Sequence, residues 1–70
     1  MLLRMYLREN NLTPADFAAR LNARGLVVSE FGVRKWSSGE RMPRRKALPA
    51  IEAETKGQVT GSDFYDSEAA

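Results

Sequence analysis

Val28-Ser29-Glu30-Phe31-Gly32-Val33-Arg34-Lys35-Trp36 is the stretch on which the fold turns. Ser29 suits a helix N-cap, since its hydroxyl accepts from a first-turn amide, and Glu30 complements the positive end of the helix dipole. Val33 and Trp36 share a face at helical spacing, which predicts a short helix that Gly39 ends. Upstream, Thr13-Pro14-Ala15-Asp16 carries the same kind of start: Thr13 caps, Pro14 fits the first helical position, and Asp16 stands three residues after the cap. Phe17, Ala18 and Leu21 form that helix's buried face, Arg20 and Arg24 lie one turn apart on another face, and Gly25 is a left-handed stop with Leu26 folding back. Downstream comes the basic loop Ser38-Gly39-Glu40-Arg41-Met42-Pro43-Arg44-Arg45.

The flanks complete a helical chain. Leu3, Tyr6 and Leu7 at helical spacing predict a first helix over residues 2 to about 10, ending near Asn10-Asn11. A fourth helix is expected from about Arg45 to Lys56, burying Leu48 and Ile51 and ending at Gly57. Pro49 would cost about 3 kcal/mol inside it unless it falls in the first turn, so a late start or a kink is expected. Thr60 followed by Asp63 resembles a cap for one final turn, with Phe64 tucked onto the core. The expected fold is all-α, four main helices plus a short C-terminal turn, with one domain over 1–65 and a frayed acidic tail over 66–70.

Composition narrows the chemistry. The 70 residues include no cysteine and no histidine, which removes disulfides, zinc-finger ligand sets, thiol nucleophiles and imidazole bases. Glu52 and Glu54 are scattered carboxylates on helix positions that do not converge, so no enzyme, no cofactor and no metal site is expected. Charge at every fourth residue of Met1-Leu2-Leu3-Arg4-Met5-Tyr6-Leu7-Arg8 rules out a signal h-region or a membrane span there, and a cytoplasmic protein is expected. A core of this size stabilises a fold by only about 3–5 kcal/mol. The net charge of +2 is unevenly spread: Arg20, Arg24, Arg34, Lys35, Arg41, Arg44, Arg45 and Lys46 face only Glu30 and Glu40 in the middle, while the end is acidic. A basic centre coinciding with the capped helices points to a polyanion-binding face.

Two short capped helices followed by a basic loop are the parts of a helix-turn-helix nucleic-acid reader. The segment Leu12–Pro43 resembles the Cro/C1-type family with the lambda-repressor-like fold, through Leu12-Thr13, Phe17-Ala18-x-x-Leu21, Val28-Ser29-x-x-x-Val33-x-x-Trp36 and Ser38-Gly39-x-Arg41-x-Pro43. The tail Ile51-Glu52-x-x-Thr55-x-Gly57-x-Val59-Thr60-x-x-Asp63-Phe64 is similar to small phage-type Cro-like repressors. The resemblance implies that the third helix enters the major groove and nominates Ser29, Glu30, Phe31, Arg34 and Lys35 as base-reading residues. Arg34 or Lys35 suits guanine O6 and N7, Glu30 suits cytosine N4 or serves the helix dipole, and Phe31 suits a thymine methyl or packs under the turn. Gly32 suggests close approach to another backbone or to DNA, whereas Trp36 reads as core. Arg24, Ser38, Arg41, Arg44, Arg45 and Lys46 are the expected phosphate-binding residues.

Two departures from the family pattern stand out. Leu21 to Val28 is several residues longer than the usual turn, which is met if helix two gains a turn, carries Arg24 toward the flanking backbone, and lets Leu26 and Val27 bridge back to the core. Pro14 stands where the family often has a phosphate-touching glutamine. The implied partner is double-stranded DNA, bound by a homodimer on a palindromic operator with half-sites about 34–36 Å apart. Leu2, Met5 and Tyr65 are the apolar candidates for the dimer contact, and no membrane or small-molecule effector is expected. The competing reading is a protein-interaction module, an antitoxin or adaptor, on the same scaffold.

Overall fold

The computed structural model describes residues 1–64, which are helical with no strand. Helix α1 spans Leu3–Glu9, α2 Pro14–Ala23, α3 Glu30–Ser38 and α4 Leu48–Glu54, and residues 61–64 form a further helical turn. Tyr65 and the tail over 66–70 lie outside the described residues. The caps expected for α2 and α3 both form. Thr13 Oγ1 accepts from the Asp16 amide at 3.0 Å while Asp16 Oδ2 accepts from the Thr13 amide at 3.0 Å, and Ser29 Oγ accepts from the Gly32 amide at 3.2 Å.

All four helices end on a left-handed residue: Gly39 (φ 83°) caps α3, as its sequence position led us to expect, and three others follow their helices. Asn11 (φ 53°) follows α1, Gly25 (φ 95°) follows α2 and Lys56 (φ 55°) follows α4. After α1, α2 and α4 the next amide reaches back to the helix: Leu12 to the Leu7 carbonyl at 2.9 Å, Leu26 to Leu21 at 3.1 Å, Gly57 to Glu52 at 2.8 Å. Gly57, the expected stop of α4, is left-handed (φ 81°), but the helix ends at Glu54 and the left-handed turn already begins on Lys56. At its N-terminal end α4 takes the late start that Pro49 called for. Residues 45–47 form a turn and the helix starts at Leu48, so Pro49 falls in the first turn, where an amide has no intrahelical partner anyway.

The core is assembled from all of these elements. Leu3, Tyr6 and Leu7 of α1, Phe17, Ala18 and Leu21 of α2, Val33 and Trp36 of α3, and Ile51 of α4 are buried together with Val59 and Phe64. Leu48, expected in the core, is only partly buried. Tyr6 meets Phe17 edge-on, with ring centroids 6.2 Å apart and planes at 67°. Thr55 is the one buried polar residue among those described. Its hydroxyl donates to the Ile51 carbonyl at 2.8 Å and accepts from the Val59 amide at 3.1 Å, which ties the end of α4 to the segment that follows. Thr55→Val keeps the shape but leaves the Val59 amide buried without an acceptor, at a cost of about 1–3 kcal/mol. Thermal melts are expected to show a fall of at least several degrees, with Thr55→Ser retaining more of the stability because it keeps the hydroxyl.

Glu54 joins α2 to α4. Its carboxylate accepts from Arg24 Nε at 2.8 Å and from Arg20 Nη1 at 3.3 Å. The Arg24 hydrogen bond, aided by Arg20, holds Glu54 below the ordinary carboxylate value against the burial that pushes it up. Asp16 is lowered by the Thr13 amide and then by the Thr13 side chain. For Asp63, burial pushes the carboxyl up, but the Thr60 amide and the Met1 ammonium 3.0 Å away together more than offset it. All three titrate lower folded than unfolded, so their stabilisation is complete above about pH 5 and disappears as pH falls through the lowered native values. Urea midpoints are expected to drop between neutral pH and pH 3, and Glu54→Gln to drop less over that interval; equal slopes would remove Glu54 from the account.

Candidate nucleic-acid interface

Helix α3 divides cleanly into two faces. Val33 and Trp36 point into the core, whereas Glu30, Phe31, Arg34 and Ser38 are exposed and Lys35 is partly so. Spacings of three and four residues place the exposed set along one stripe of the helix. Phe31, 73% exposed, does not pack under the preceding turn. An aromatic ring left in water on a chain this small is the least economical placement on the surface, and it stands between two charged residues of the same face. Ser29 caps the helix and is exposed.

The start of α3 is held by a residue that sequence reasoning passed over. Asn22 Nδ2 donates to the Ala18 carbonyl at 2.7 Å and to the Val28 carbonyl at 2.8 Å, tying α2 to the chain entering α3. Nothing in the pattern around Asn22 marks this, because the second acceptor is delivered by the path of the long connection. A Cβ placed on Gly32 would lie 3.0 Å from Val28 Cγ2. The close approach expected at Gly32 is therefore to the Val28 side chain, not to another backbone. The connection itself behaves only partly as expected: Leu26 folds back onto the core, but Val27 is 92% exposed.

The cations fall into two sets. Arg24, expected to face phosphate, turns instead onto Glu54 beside Arg20, since an acid on α4 lies within reach of both. Among the described residues Arg41, Arg44, Arg45 and Lys46 have no ion-pair partner and are exposed. Arg41, Arg44 and Lys46 line an open groove of about 790 Å³ whose other wall is Gly25–Ser29 with Gly32 of α3. The lengthened connection thus forms one side of a cleft that the basic loop closes on the other. Ser38, expected to face phosphate, is exposed, but its hydroxyl donates to the Lys35 carbonyl of α3 at 3.2 Å and to Glu40 Oε2 of the loop at 3.3 Å. Glu40 also lies 3.8 Å from Lys35 Nζ.

Set against protein families, curated proteins and solved structures, the chain matches none of them.

The geometry therefore stands on its own residues. It brings Glu30, Phe31, Arg34 and Lys35 onto one helix capped by Ser29, with Arg41, Arg44 and Lys46 across the groove from that cap, and it separates Arg24 from them. Leu2 and Met5, the described members of the expected dimer contact, are exposed on and before α1. Among the described residues no group of three or more metal-ligating side chains comes together, and no helix is long and apolar enough to cross a membrane.

Proposed function

We propose that the chain is a sequence-specific, double-stranded DNA-binding transcriptional regulator of the lambda-repressor-like type, most consistent with a repressor acting as a homodimer. In this reading α2 and α3 are the helix-turn-helix, α3 lies in the major groove, and Arg41, Arg44, Arg45 and Lys46 sit on the flanking phosphates. One observation carries it: Ser29, the N-cap of α3, and Gly32 share a groove with Arg41, Arg44 and Lys46, so the start of α3 lies beside cations that have no ion-pair partner among the described residues. A major groove about 12 Å wide admits a helix such as α3, and base edges then meet Glu30, Phe31, Arg34 and Lys35.

Selection of bound duplexes from a random-sequence pool tests the reading directly. Enrichment of a motif with two-fold symmetry is expected, and its half-site spacing reports the dimer. Affinity should fall with salt, log K losing about 0.9 per phosphate contact for each unit of log salt. Absence of binding to any duplex at low salt would sink it. A protein-interaction module is favoured by a different observation, the exposure of Val27 and Phe31. It predicts a partner contact that survives high salt and is lost in Phe31→Ala.

A further inference from the structure

The ion pair at the start of α3 is asymmetric. Arg34 Nε donates to Glu30 Oε2 at 3.0 Å, and Arg34 Nη2 lies 2.8 Å from the same carboxylate oxygen. Glu30 Oε1 and Arg34 Nη1 have no partner among the described residues. Both side chains are exposed, Arg34 by 62% and Glu30 by 48%, on the stripe that faces away from Val33 and Trp36. The helix therefore offers one free acceptor beside free donors, with their relative position fixed by the pair itself.

That pattern has a counterpart in the major groove. A G·C pair shows N7 and O6 of guanine as adjacent acceptors and N4 of cytosine as the donor beside them, whereas an A·T pair alternates acceptor, donor and acceptor and adds a methyl group. We propose that Glu30 and Arg34 act as one unit that reads a single G·C base pair, Arg34 donating to guanine and Glu30 Oε1 accepting from cytosine N4. The proposal rests on the reading of α3 as the major-groove helix. Arg34 alone would tolerate several acceptors, including phosphate. The carboxylate supplies the discrimination, because Oε1 brought against thymine O4 or a phosphate loses its water and meets another acceptor. Glu30 is thus a specificity residue as well as the group that positions Arg34.

The test uses the full chain, its Glu30→Gln and Arg34→Ala variants, and a random-sequence duplex pool, with thermal melts alongside. The wild-type chain is expected to enrich a motif containing a fixed G·C pair. Placing 7-deazaguanine at that pair removes N7 without disturbing base pairing and is expected to weaken binding, toward the roughly 5- to 150-fold that a full bidentate contact is worth. Glu30→Gln is expected to move the preference at that position toward A·T, since an amide pairs with adenine N6 and N7, and Arg34→Ala to flatten it. Melting temperatures should change little, because both side chains are exposed. A pair that served only the helix would alter the melt and leave the enriched motif unchanged, and that result overturns the proposal. Unchanged affinity of the wild-type chain for the 7-deazaguanine duplex overturns it independently of any variant. Failure of the wild-type chain to enrich any duplex instead removes the DNA-binding reading on which it rests.

Discussion

Phe17→Ala is expected to leave the chain unfolded at room temperature. Phe17 has no solvent exposure, meets Tyr6 edge-on and sits in the core that α1, α2, α3 and α4 share. Truncating a buried phenylalanine to alanine costs about 3–5 kcal/mol through lost transfer energy and the cavity left behind. A single core in a domain of this size supplies about 3–5 kcal/mol in total, so one substitution removes all of it. Far-ultraviolet circular dichroism of Phe17→Ala should show loss of helix and of the cooperative melt, with Phe17→Leu retaining a transition at lower temperature. A Phe17→Ala chain that melts cooperatively near the wild-type temperature would mean that the core is not the main source of stability. If operator DNA stabilises the fold by mass action, adding it should restore part of the helical signal of the weakened Phe17→Leu chain.

The second large effect is electrostatic. Arg44→Gln, Arg45→Gln and Lys46→Gln together are expected to remove three phosphate contacts and so to reduce the salt slope of DNA binding by about 2.7. Relative to 1 M salt, the same three contacts are worth about 2.7 log units of affinity at 0.1 M, a loss of several hundredfold. The loss should be nearly equal for specific and random duplexes, because phosphates carry no sequence information. All three residues are exposed and outside α4, so the melt should scarcely move. Fluorescence anisotropy across a salt series checks both quantities. A triple variant with an unchanged slope would place the phosphates elsewhere on the molecule, with Arg4 and Arg8 of α1 the next exposed cations to examine.

Much of the helical architecture was legible because its signals are local. Thr13 with Asp16 and Ser29 with the Gly32 amide are contacts over three residues, and the Thr60–Asp63 pair is another, with the Thr60 amide donating to Asp63 Oδ2 at 2.8 Å. Pro49 marked a late start for α4 because a proline amide is absent wherever the chain goes. The core face of α3 was likewise readable from helical spacing, Val33 and Trp36 inward. Phe31 was open to two readings for a physical reason: an aromatic side chain belongs equally well in a core or at a contact surface, and helical phase alone does not say what lies above it. Val27 went the other way from its expectation because one residue of backbone direction in an irregular connection decides which side chain is buried, and Leu26 took that place.

The chain by itself determined which segments are helices, where α2 and α3 start, and which face of each is apolar, since capping and periodicity act within three or four residues. Tertiary structure alone decided what the remaining polar groups do. Arg24 and Glu54 are 30 residues apart, so only the packing of α4 beside α2 assigns Arg24 to an ion pair instead of a phosphate. Packing also makes Thr55 a buried acceptor for the Val59 amide, makes Asn22 a tie to Val28, and sets the long connection opposite Arg41, Arg44 and Lys46. Each of these depends on where a second element lies in space, which the reach of a side chain tests within a few ångströms and sequence spacing does not encode.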